Sequence, residues 1–270
     1  MITKDKAEHS DSYLAQGGIS TLRTPEDYDS YFEDTMRAGH YKNNPDSVDV
    51  MIRSSPQIIQ NLIDFGVEFE RTSDGLSYTR EGAHSTFRIL HHKDITGYEI
   101  TSKLMAQVQQ RPYIHIEEYT SMVDIIEQNH VCTGVVVRTK DGQIQPIYAK
   151  SVVLATGGLG GLFQNSTNYP HITGDALAIA LKHHIALQDI NYIQIHPTTL
   201  YSEKKGRSFL ISESVRGEGA VLLNEKGERF VDELLPRDVV TKAIKDEMKK
   251  TNAKFVYLSM EHMGADVIKK

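Results

Sequence analysis

The chain has 270 residues, of which 39% are apolar and 24% charged, with a formal net charge of −6 and a single cysteine. This composition is typical of an ordinary globular protein with one large α/β domain, or one domain and part of a second. It offers no basic patch for nucleic acid, no apolar run near the ~20 residues of a membrane helix, and no second cysteine for a disulfide. We therefore predict a cytoplasmic protein with no nucleic-acid partner, no membrane partner and no metal site.

Two amphipathic helices are predicted after a loop at residues 7–18 that contains serine and glycine. Apolar residues at three- and four-residue spacing predict the first helix, over residues 25–39. The second is expected over residues 55–66, with Pro56 in its first turn. Residues 66–97 are irregular and polar, as in a surface loop or a segment that converges on a ligand.

The apolar run at 151–155 ends in Thr156-Gly157-Gly158, a pattern typical of a buried parallel strand whose carboxyl end faces a ligand crevice. Around this run, periodicity and turn residues predict a helix at 98–110, short strands within 113–148, a helix at 174–184, a strand at 190–195, a hairpin at 224–227 and a last helix from Pro236. The sequence thus predicts a mixed α/β chain.

Two pairs of adjacent glycines can bring the backbone close to a ligand. In Ala15-Gln16-Gly17-Gly18 and in Thr156-Gly157-Gly158, a Cβ atom would stand between the backbone and a flat ring or a phosphate. Each pair alone is weak evidence, because such a pair is more often a plain turn. Asp175 follows Gly174 at a helix start, where an acidic residue is most often a cap or a partner of the helix dipole.

Order and spacing change this assessment. Six short motifs follow one another at residues 15–19, 155–158, 174–175, 196–198, 216–219 and 236–238: Ala-Gln-Gly-Gly-Ile, Ala-Thr-Gly-Gly, Gly-Asp, His-Pro-Thr, Arg-Gly-Glu-Gly and Pro-Arg-Asp. In this order the chain resembles the flavoprotein family of succinate dehydrogenase, fumarate reductase and L-aspartate oxidase. The resemblance implies an α/β fold with a dinucleotide (FAD)-binding parallel-sheet domain over 1–193 and an α+β capping domain over 194–270, both incomplete.

The resemblance also implies the residues that line FAD. They are Lys4, Asp11, Ser12, Tyr13, Leu14, Ala15, Gln16, Gly17, Gly18, Thr156, Gly157, Gly158 and Asp175. In the succinate dehydrogenase branch, a histidine five residues before the glutamine bonds covalently to the flavin. Asp11 stands at that position here, and His9 is two residues out of register. The flavin is therefore expected to be bound without a covalent link.

Glu81 indicates the substrate. It lies in the segment at 80–85, Arg-Glu-Gly-Ala-His-Ser, which is similar to the corresponding segment of the L-aspartate oxidase branch. A carboxylate facing the substrate is favourable only if the substrate carries a cation, as the α-ammonium of aspartate does. An arbitrary loop glutamate is usually solvated instead. By the same resemblance, His196 and Ser212 would donate to substrate carboxylates. Arg237 matches a family arginine that exchanges a proton with the substrate. From its chemistry alone, however, an arginine is a poor base, and Arg237 is better suited to bind a substrate carboxylate.

Together these features predict FAD-dependent oxidation of L-aspartate to iminoaspartate, with O2 or fumarate as electron acceptor. This reaction would begin NAD biosynthesis, with quinolinate synthase as a downstream partner. Two alternatives stay open: the flavoprotein subunit of a fumarate reductase or succinate dehydrogenase, and an inactive piece without bound flavin. Because a glycine-rich pyrophosphate turn and later His and Arg segments are missing, we expect this chain to hold FAD weakly or not at all and to turn over negligibly.

Overall fold

The computed structural model describes residues 1–204 and 206–264. The chain divides into two compact units. The first comprises Met1–Tyr13, Met105–Ile193 and Ser202–Phe209; the second comprises Leu14–Leu104, Gln194–Tyr201 and the chain from Leu210 onward. One division falls between Ile193 and Gln194, but residues 14–104 group with the second unit. The functional boundary at 193/194 stays a prediction.

The described residues form helices of 5 to 20 residues and strands of 2 to 8 residues. The helices are α1 (Tyr28–Ala38), α2 (Pro45–Asp64), α3 (Thr96–Gln109), α4 (Asp175–Lys182), α5 (Glu213–Gly217) and α6 (Arg237–Thr251). The strands are β1 (Ile19–Ser20), β2 (Arg71–Thr72), β3 (Gly75–Leu76), β4 (Ile89–Leu90), β5 (Ser121–Gln128), β6 (Val131–Arg138), β7 (Ile144–Tyr148), β8 (Val221–Leu223) and β9 (Tyr257–Ser259). None of these helices is both long and apolar enough to cross a bilayer.

The first unit contains a three-stranded antiparallel sheet in the order β5-β6-β7. Its second hairpin turns at Asp141-Gly142, as predicted, with Gly142 at φ +81°. The strand expected at 151–155 is absent, because no segment of the described chain forms a ladder with it and a strand needs a hydrogen-bonded neighbour. Val153 is 89% exposed there. Parallel pairing among the described residues is confined to the bridge between Ile2 and Glu117.

In the second unit, α1 and α2 pack through an apolar cluster that includes Tyr31 and Ile52. The prediction for α1 is confirmed, whereas the predicted start of α2 is wrong by ten residues. Asn44 caps the observed start by accepting a hydrogen bond from the Ser47 amide at 3.1 Å. Pro56 therefore lies inside the helix and cannot donate to the Ile52 carbonyl. The Ser55 hydroxyl donates to that carbonyl instead, at 2.7 Å, which compensates for the missing bond.

Two further clusters complete the core of the second unit. One packs α2 against β4 and includes Ile59, Phe69 and Leu90. The other packs α6 against the antiparallel pair β8-β9 and includes Leu222 and Val240. The turn predicted at 224–227 follows β8 directly. These clusters support the segments that carry the candidate site residues, which lie at the ends of the helices and in the connections between them.

Candidate functional site

The first unit has an open cavity of about 490 Å³. Six of the residues predicted to contact FAD line it: Lys4, Asp11, Ser12, Thr156, Gly157 and Asp175. The cavity falls within the 300–1,000 Å³ range that is typical of cofactor and small-molecule sites. The structure therefore brings together residues that lie more than 150 positions apart in the sequence.

Lys4 and Asp175 form an ion pair on the wall of this cavity. Lys4 Nζ donates to Asp175 Oδ2 and to Thr173 Oγ1, both at 2.7 Å. Burial raises the pKa of Asp175, but the hydrogen bonds from Lys4 and Thr173 outweigh burial and lower that pKa below its ordinary value. Asp175 is the first residue of α4, where a carboxylate interacts favourably with the helix dipole. The pair can hold a polar ligand group at the helix start.

Asp11 has a structural task beside the cavity. It accepts hydrogen bonds from the Asn168 side chain and from the Tyr169 amide, the latter at 3.0 Å. These bonds anchor the one-turn 3-10 helix Asp11–Leu14, which contains Ser12 and Tyr13. Both oxygens of this carboxylate are thus engaged with the protein. The side chain at this position is therefore compatible with FAD that is bound without a covalent link.

The two glycines after Thr156 differ in what they require. Gly157 has φ +68°, a left-handed conformation that favours glycine, and a Cβ atom there would touch Ile172 at 3.4 Å. A Cβ atom on Gly158 would meet no described protein atom within 4 Å. The described protein thus leaves open space over Gly158 and imposes no steric requirement for glycine there. The geometry fits a cofactor that lies against this backbone.

In the second unit, Glu81 lies against the other glycine pair. The Gly18 amide donates to Glu81 Oε1 at 2.9 Å, and a Cβ atom on Gly17 would approach Glu81 Oε1 to 3.2 Å. A Cβ atom on Gly18 would collide with Ile89 and with the Leu90 carbonyl oxygen. Gly18 is therefore required by the packing of β1 against β4, independently of any ligand. The preceding Ala15 carbonyl accepts from the Gly97 amide at 2.9 Å.

Gln16 has a buried side-chain oxygen without a hydrogen-bond partner among the described residues. An unsatisfied buried oxygen costs roughly 1–3 kcal/mol, so native structures normally provide a donor. A ligand with an N–H or O–H group can serve as that donor. Gln16 is one of the residues predicted to contact FAD, and its unsatisfied oxygen fits this prediction. Leu14 completes the predicted loop and is half-buried.

Glu81 lies in a mixed electrostatic environment. Burial raises the pKa of Glu81, and the carboxylates of Glu213 and Asp94 raise it further, while the Gly18 amide and the charge of Arg237 lower it. The net pKa lies above its ordinary value. Among residues 1–204 and 206–264, no Lys, Arg or His side chain forms an ion pair with Glu81. Glu81 is therefore a half-buried carboxylate that feels the charge of Arg237 but forms no ion pair within the described residues.

Arg237, at the start of α6, is held by groups that the sequence analysis did not identify. Its Nε donates to Glu213 Oε2 at 2.7 Å, its Nη2 donates to the same oxygen, and its Nη1 donates to Gln194 Oε1 at 2.8 Å. Glu213 Oε1 also lies 3.5 Å from Arg216 Nη2. Arg216 is almost fully buried, and burial lowers its pKa. Glu213 thus lies between two guanidinium groups.

His196 lies near Arg237 and is neutral at physiological pH. Burial and the charge of Arg237 lower the pKa of His196 to about 4. Its Nδ1 is 3.0 Å from the Thr198 carbonyl oxygen and 3.3 Å from the Thr198 amide nitrogen, so the tautomer decides which of the two bonds forms. Only the tautomer in which Nδ1 accepts from the amide leaves Nε2–H free to donate to a carboxylate.

Ser212 is buried, and its hydroxyl is already engaged. It donates to Asp94 Oδ1 at 2.7 Å and accepts from the Ser214 hydroxyl at 2.9 Å. Asp94 also contributes to the electrostatic environment of Glu81. Glu81, His196, Ser212 and Arg237 therefore all belong to the second unit and are linked through Asp94 and Glu213. Their roles toward a substrate stay predictions.

Sequence reasoning missed Asp94, Gln194, Glu213 and Arg216. One signal was available for Gln194 and Glu213, because each lies within two residues of a predicted site residue. For Arg216 the signal was the Arg-Gly-Glu-Gly motif at 216–219, whereas nothing in the local pattern indicates that the exposed Asp94 approaches Ser212. Their contacts join residues more than 15 positions apart, which only the tertiary fold specifies.

In the first unit, the Thr156-Gly157 turn and the Lys4–Asp175 ion pair line one cavity, a site of the kind expected in an FAD-binding flavoprotein. The structure is similar to the E. coli quinol fumarate reductase, with a TM-score of 0.90 and 28% identity over 100% of this chain and 50% of that chain. It is also similar to Mycobacterium smegmatis Sdh1 in complex with UQ1, with a TM-score of 0.80 and 32% identity over 99% of this chain and 49% of that chain. The predicted FAD-binding α/β fold is confirmed.

The family model of the FAD binding domain matches residues 1–270, and the chain belongs to this family. The predicted cofactor, FAD, is confirmed by this membership. The chain is 51% identical to L-aspartate oxidase of Clostridium perfringens over 97% of its length, and 49% identical to L-aspartate oxidase of Clostridium acetobutylicum over 100%. It spans 60% and 62% of the lengths of these two relatives.

Proposed function

We propose that this chain carries the FAD-binding and substrate-recognition residues of an L-aspartate oxidase. The reaction is the oxidation of L-aspartate to iminoaspartate, with O2 or fumarate as electron acceptor. FAD supplies the hydride acceptor when it is bound, and the protein supplies binding, orientation and charge. The similarity to two clostridial L-aspartate oxidases at about half identity supports this choice.

The observation that carries the proposal is the carboxylate of Glu81. One of its oxygens accepts from the Gly18 amide, and no cationic side chain among the described residues forms an ion pair with it. A half-buried anion without a partner is costly, and an incoming ammonium group would supply the missing charge. L-Aspartate has such a group, whereas succinate and fumarate do not. Glu81 therefore favours an amino dicarboxylate over a plain dicarboxylate.

The remaining residues would bind the two acid ends of the substrate. Arg237 keeps its charge at any physiological pH, and its bonds to Glu213 and Gln194 fix its direction. His196 is neutral and can donate through Nε2 in one tautomer. Ser212 can donate to a substrate carboxylate once its hydroxyl turns away from Asp94. These three donors give an anion-binding surface beside Glu81.

A second candidate is the flavoprotein subunit of a fumarate reductase or succinate dehydrogenase. The similarity to the E. coli quinol fumarate reductase over the full length of this chain favours it. In that case Glu81 would have only its structural bond to Gly18, and the substrate would carry no ammonium group.

We further propose that the oxidase acts in the cytoplasm and that its product passes to quinolinate synthase as the first step of NAD biosynthesis.

The two candidates differ in their response to Glu81→Gln. In a catalytically active, FAD-loaded protein that contains this chain, we expect this substitution to lower kcat/KM for L-aspartate, measured by peroxide release, by at least about 30-fold, since truncating one member of a buried charge pair costs roughly 2 kcal/mol or more. Activity with succinate or fumarate should change much less. Glu225→Gln, at an exposed turn, is the matched control. Equal losses for L-aspartate and succinate would reject the amino-acid oxidase.

A further inference from the structure

The segment that carries Glu81 is a closed loop. We define the Glu81 loop as residues 80–88. Its base is closed by two backbone hydrogen bonds between Thr79 and Ile89, at 2.8 and 3.1 Å. Near its tip, the Ser85 amide and the Ser85 hydroxyl both donate to Asp34 Oδ2 at 2.7 Å. The loop is therefore held both at its base and at its tip.

The anchor behind the loop is a buried cluster of one arginine and two aspartates. The Arg88 side chain is fully buried. Its Nη1 donates to Asp34 Oδ2 at 2.6 Å, and its Nη2 donates to Asp27 Oδ1 at 2.8 Å. Burial raises the pKa of both aspartates, but hydrogen bonds outweigh it and keep both pKa values below the ordinary value. All three groups are therefore charged at neutral pH.

The two aspartates belong to a rigid element. Asp27 precedes α1 and Asp34 lies in its second turn. The same helix packs Tyr31 and Met36 into the apolar cluster shared with α2. Groups that are fixed on a packed helix can hold a loop more accurately than groups on another loop. The cluster therefore fixes the position of the Glu81 loop relative to α1.

The inside of the loop is strained and needs such support. Ala83 has φ +68°, which is uncommon for a residue with a Cβ atom. The His84 amide donates to the Glu81 carbonyl at 3.3 Å, which closes a tight turn directly after Glu81. Because guanidinium can only donate, the 3.2 Å contact between Arg88 Nη1 and His84 Nδ1 requires Nδ1 to be an acceptor. Arg88 thereby fixes the imidazole orientation inside the turn.

We propose that Asp34, Arg88 and Asp27 are positioning residues that hold the Glu81 carboxylate where it meets the substrate ammonium, a role that rests on the proposed function. None of the three needs to touch the substrate. They act through the turn at 81–84 and through the two bonds at Ser85. Substrate discrimination would then depend on a charged cluster that joins the loop to α1.

The test compares variants of the same catalytically active, FAD-loaded protein that contains this chain. Asp34→Ala removes the acceptor of both Ser85 bonds, and Ser85→Ala removes only the hydroxyl donor, at an exposed position that should not impair folding. The matched control is Arg37→Gln. Arg37 binds the other oxygen of the same carboxylate, Asp34 Oδ1, from the solvent side and does not contact the loop.

The expected result is a change in specificity. Asp34→Ala should lower the ratio of kcat/KM for L-aspartate to kcat/KM for succinate by roughly tenfold or more, since displacement by about 1 Å can cost 100-fold. Ser85→Ala should lower the ratio less, and Arg37→Gln should leave it unchanged. In a Glu81→Gln background, Asp34→Ala should no longer change the ratio, because residues that act through one another are not additive.

Amide hydrogen exchange at Ser85 provides a readout that needs no substrate. Asp34→Ala should accelerate this exchange, and Arg37→Gln should not. Faster exchange with an unchanged substrate ratio would overturn the positioning role, as would equal losses for both substrates or an effect that persists without Glu81. If Glu81→Gln alone leaves the ratio unchanged, the proposed function fails. That outcome is distinguished from the others by the single Glu81 variant.

Discussion

Glu81 Oε1 accepts a hydrogen bond from the Gly18 amide at 2.9 Å. This bond joins the segment that predicts substrate choice to the glycine loop that predicts FAD contact. The other carboxylate oxygen of Glu81 forms no ion pair within the described residues. One side chain can therefore stabilise the glycine loop and still present negative charge to a ligand. The following predictions test this double role and the surrounding geometry.

The pH dependence of L-aspartate oxidation should report the ionisation of Glu81. Its pKa lies above the ordinary value of 4.5, mainly because of burial. Only the ionised form attracts ammonium, so kcat/KM should fall as the pH falls through this raised pKa. A profile from about pH 4 to about pH 8 should show this acid limb, and Glu81→Gln should remove it. An identical limb in the variant would assign the titration to another group.

The ionisation of Glu81 affects folding stability in the opposite direction. Because folding raises the pKa of Glu81, the folded state binds its proton more tightly than the unfolded state does. Its contribution to stability is therefore present below pH 4.5 and is lost as the pH rises through the folded-state pKa. Urea unfolding of the Glu81→Gln variant should lack this part of the pH dependence. Activity and stability thus move in opposite directions over this pH window.

The two glycine pairs should respond differently to alanine. In Gly18→Ala the new methyl group would overlap Ile89 and the Leu90 carbonyl, so we expect a loss of about 1–3 kcal/mol in the free energy of unfolding. Gly158→Ala meets no described protein atom and should leave stability nearly unchanged. If the cofactor lies against this backbone, Gly158→Ala should nevertheless weaken FAD binding in a fluorescence titration. Unchanged FAD affinity would remove Gly158 from the cofactor site.

His196 should remain neutral over the physiological pH range. Its pKa is lowered to about 4 by burial and by Arg237, so NMR should show no titration of this ring between pH 5 and pH 8. To donate to a substrate carboxylate, the ring must carry its proton on Nε2, with Nδ1 accepting from the Thr198 amide. Nitrogen chemical shifts of the ring distinguish the two tautomers. A proton on Nδ1 would exclude His196 as a donor through Nε2.

Local patterns predicted a large part of the secondary structure. The spacing of Tyr28, Tyr31 and Met36 predicted α1, and Asp141-Gly142 predicted a hairpin, because these signals arise within a few residues. The same local reasoning placed the start of α2 at Ser55, since Pro56 is a strong start signal. The cap at Asn44 and the compensating bond from Ser55 decided otherwise. The segment at 151–155 failed as a strand because pairing requires a neighbour that no local pattern supplies.

The sequence by itself determined the family, the cofactor and the positions of the glycine turns, since collinear motifs preserve chemistry in their order along the chain. Only the tertiary structure decided which groups surround those motifs. Asp34 lies on α1 three residues after Tyr31, so a buried acid could have been inferred there from the sequence. Its partner Arg88 lies 54 positions away and could not have been inferred. Charges that are paired across such distances depend on how helices and loops pack, because burial and hydrogen bonding, rather than sequence neighbourhood, determine their energies.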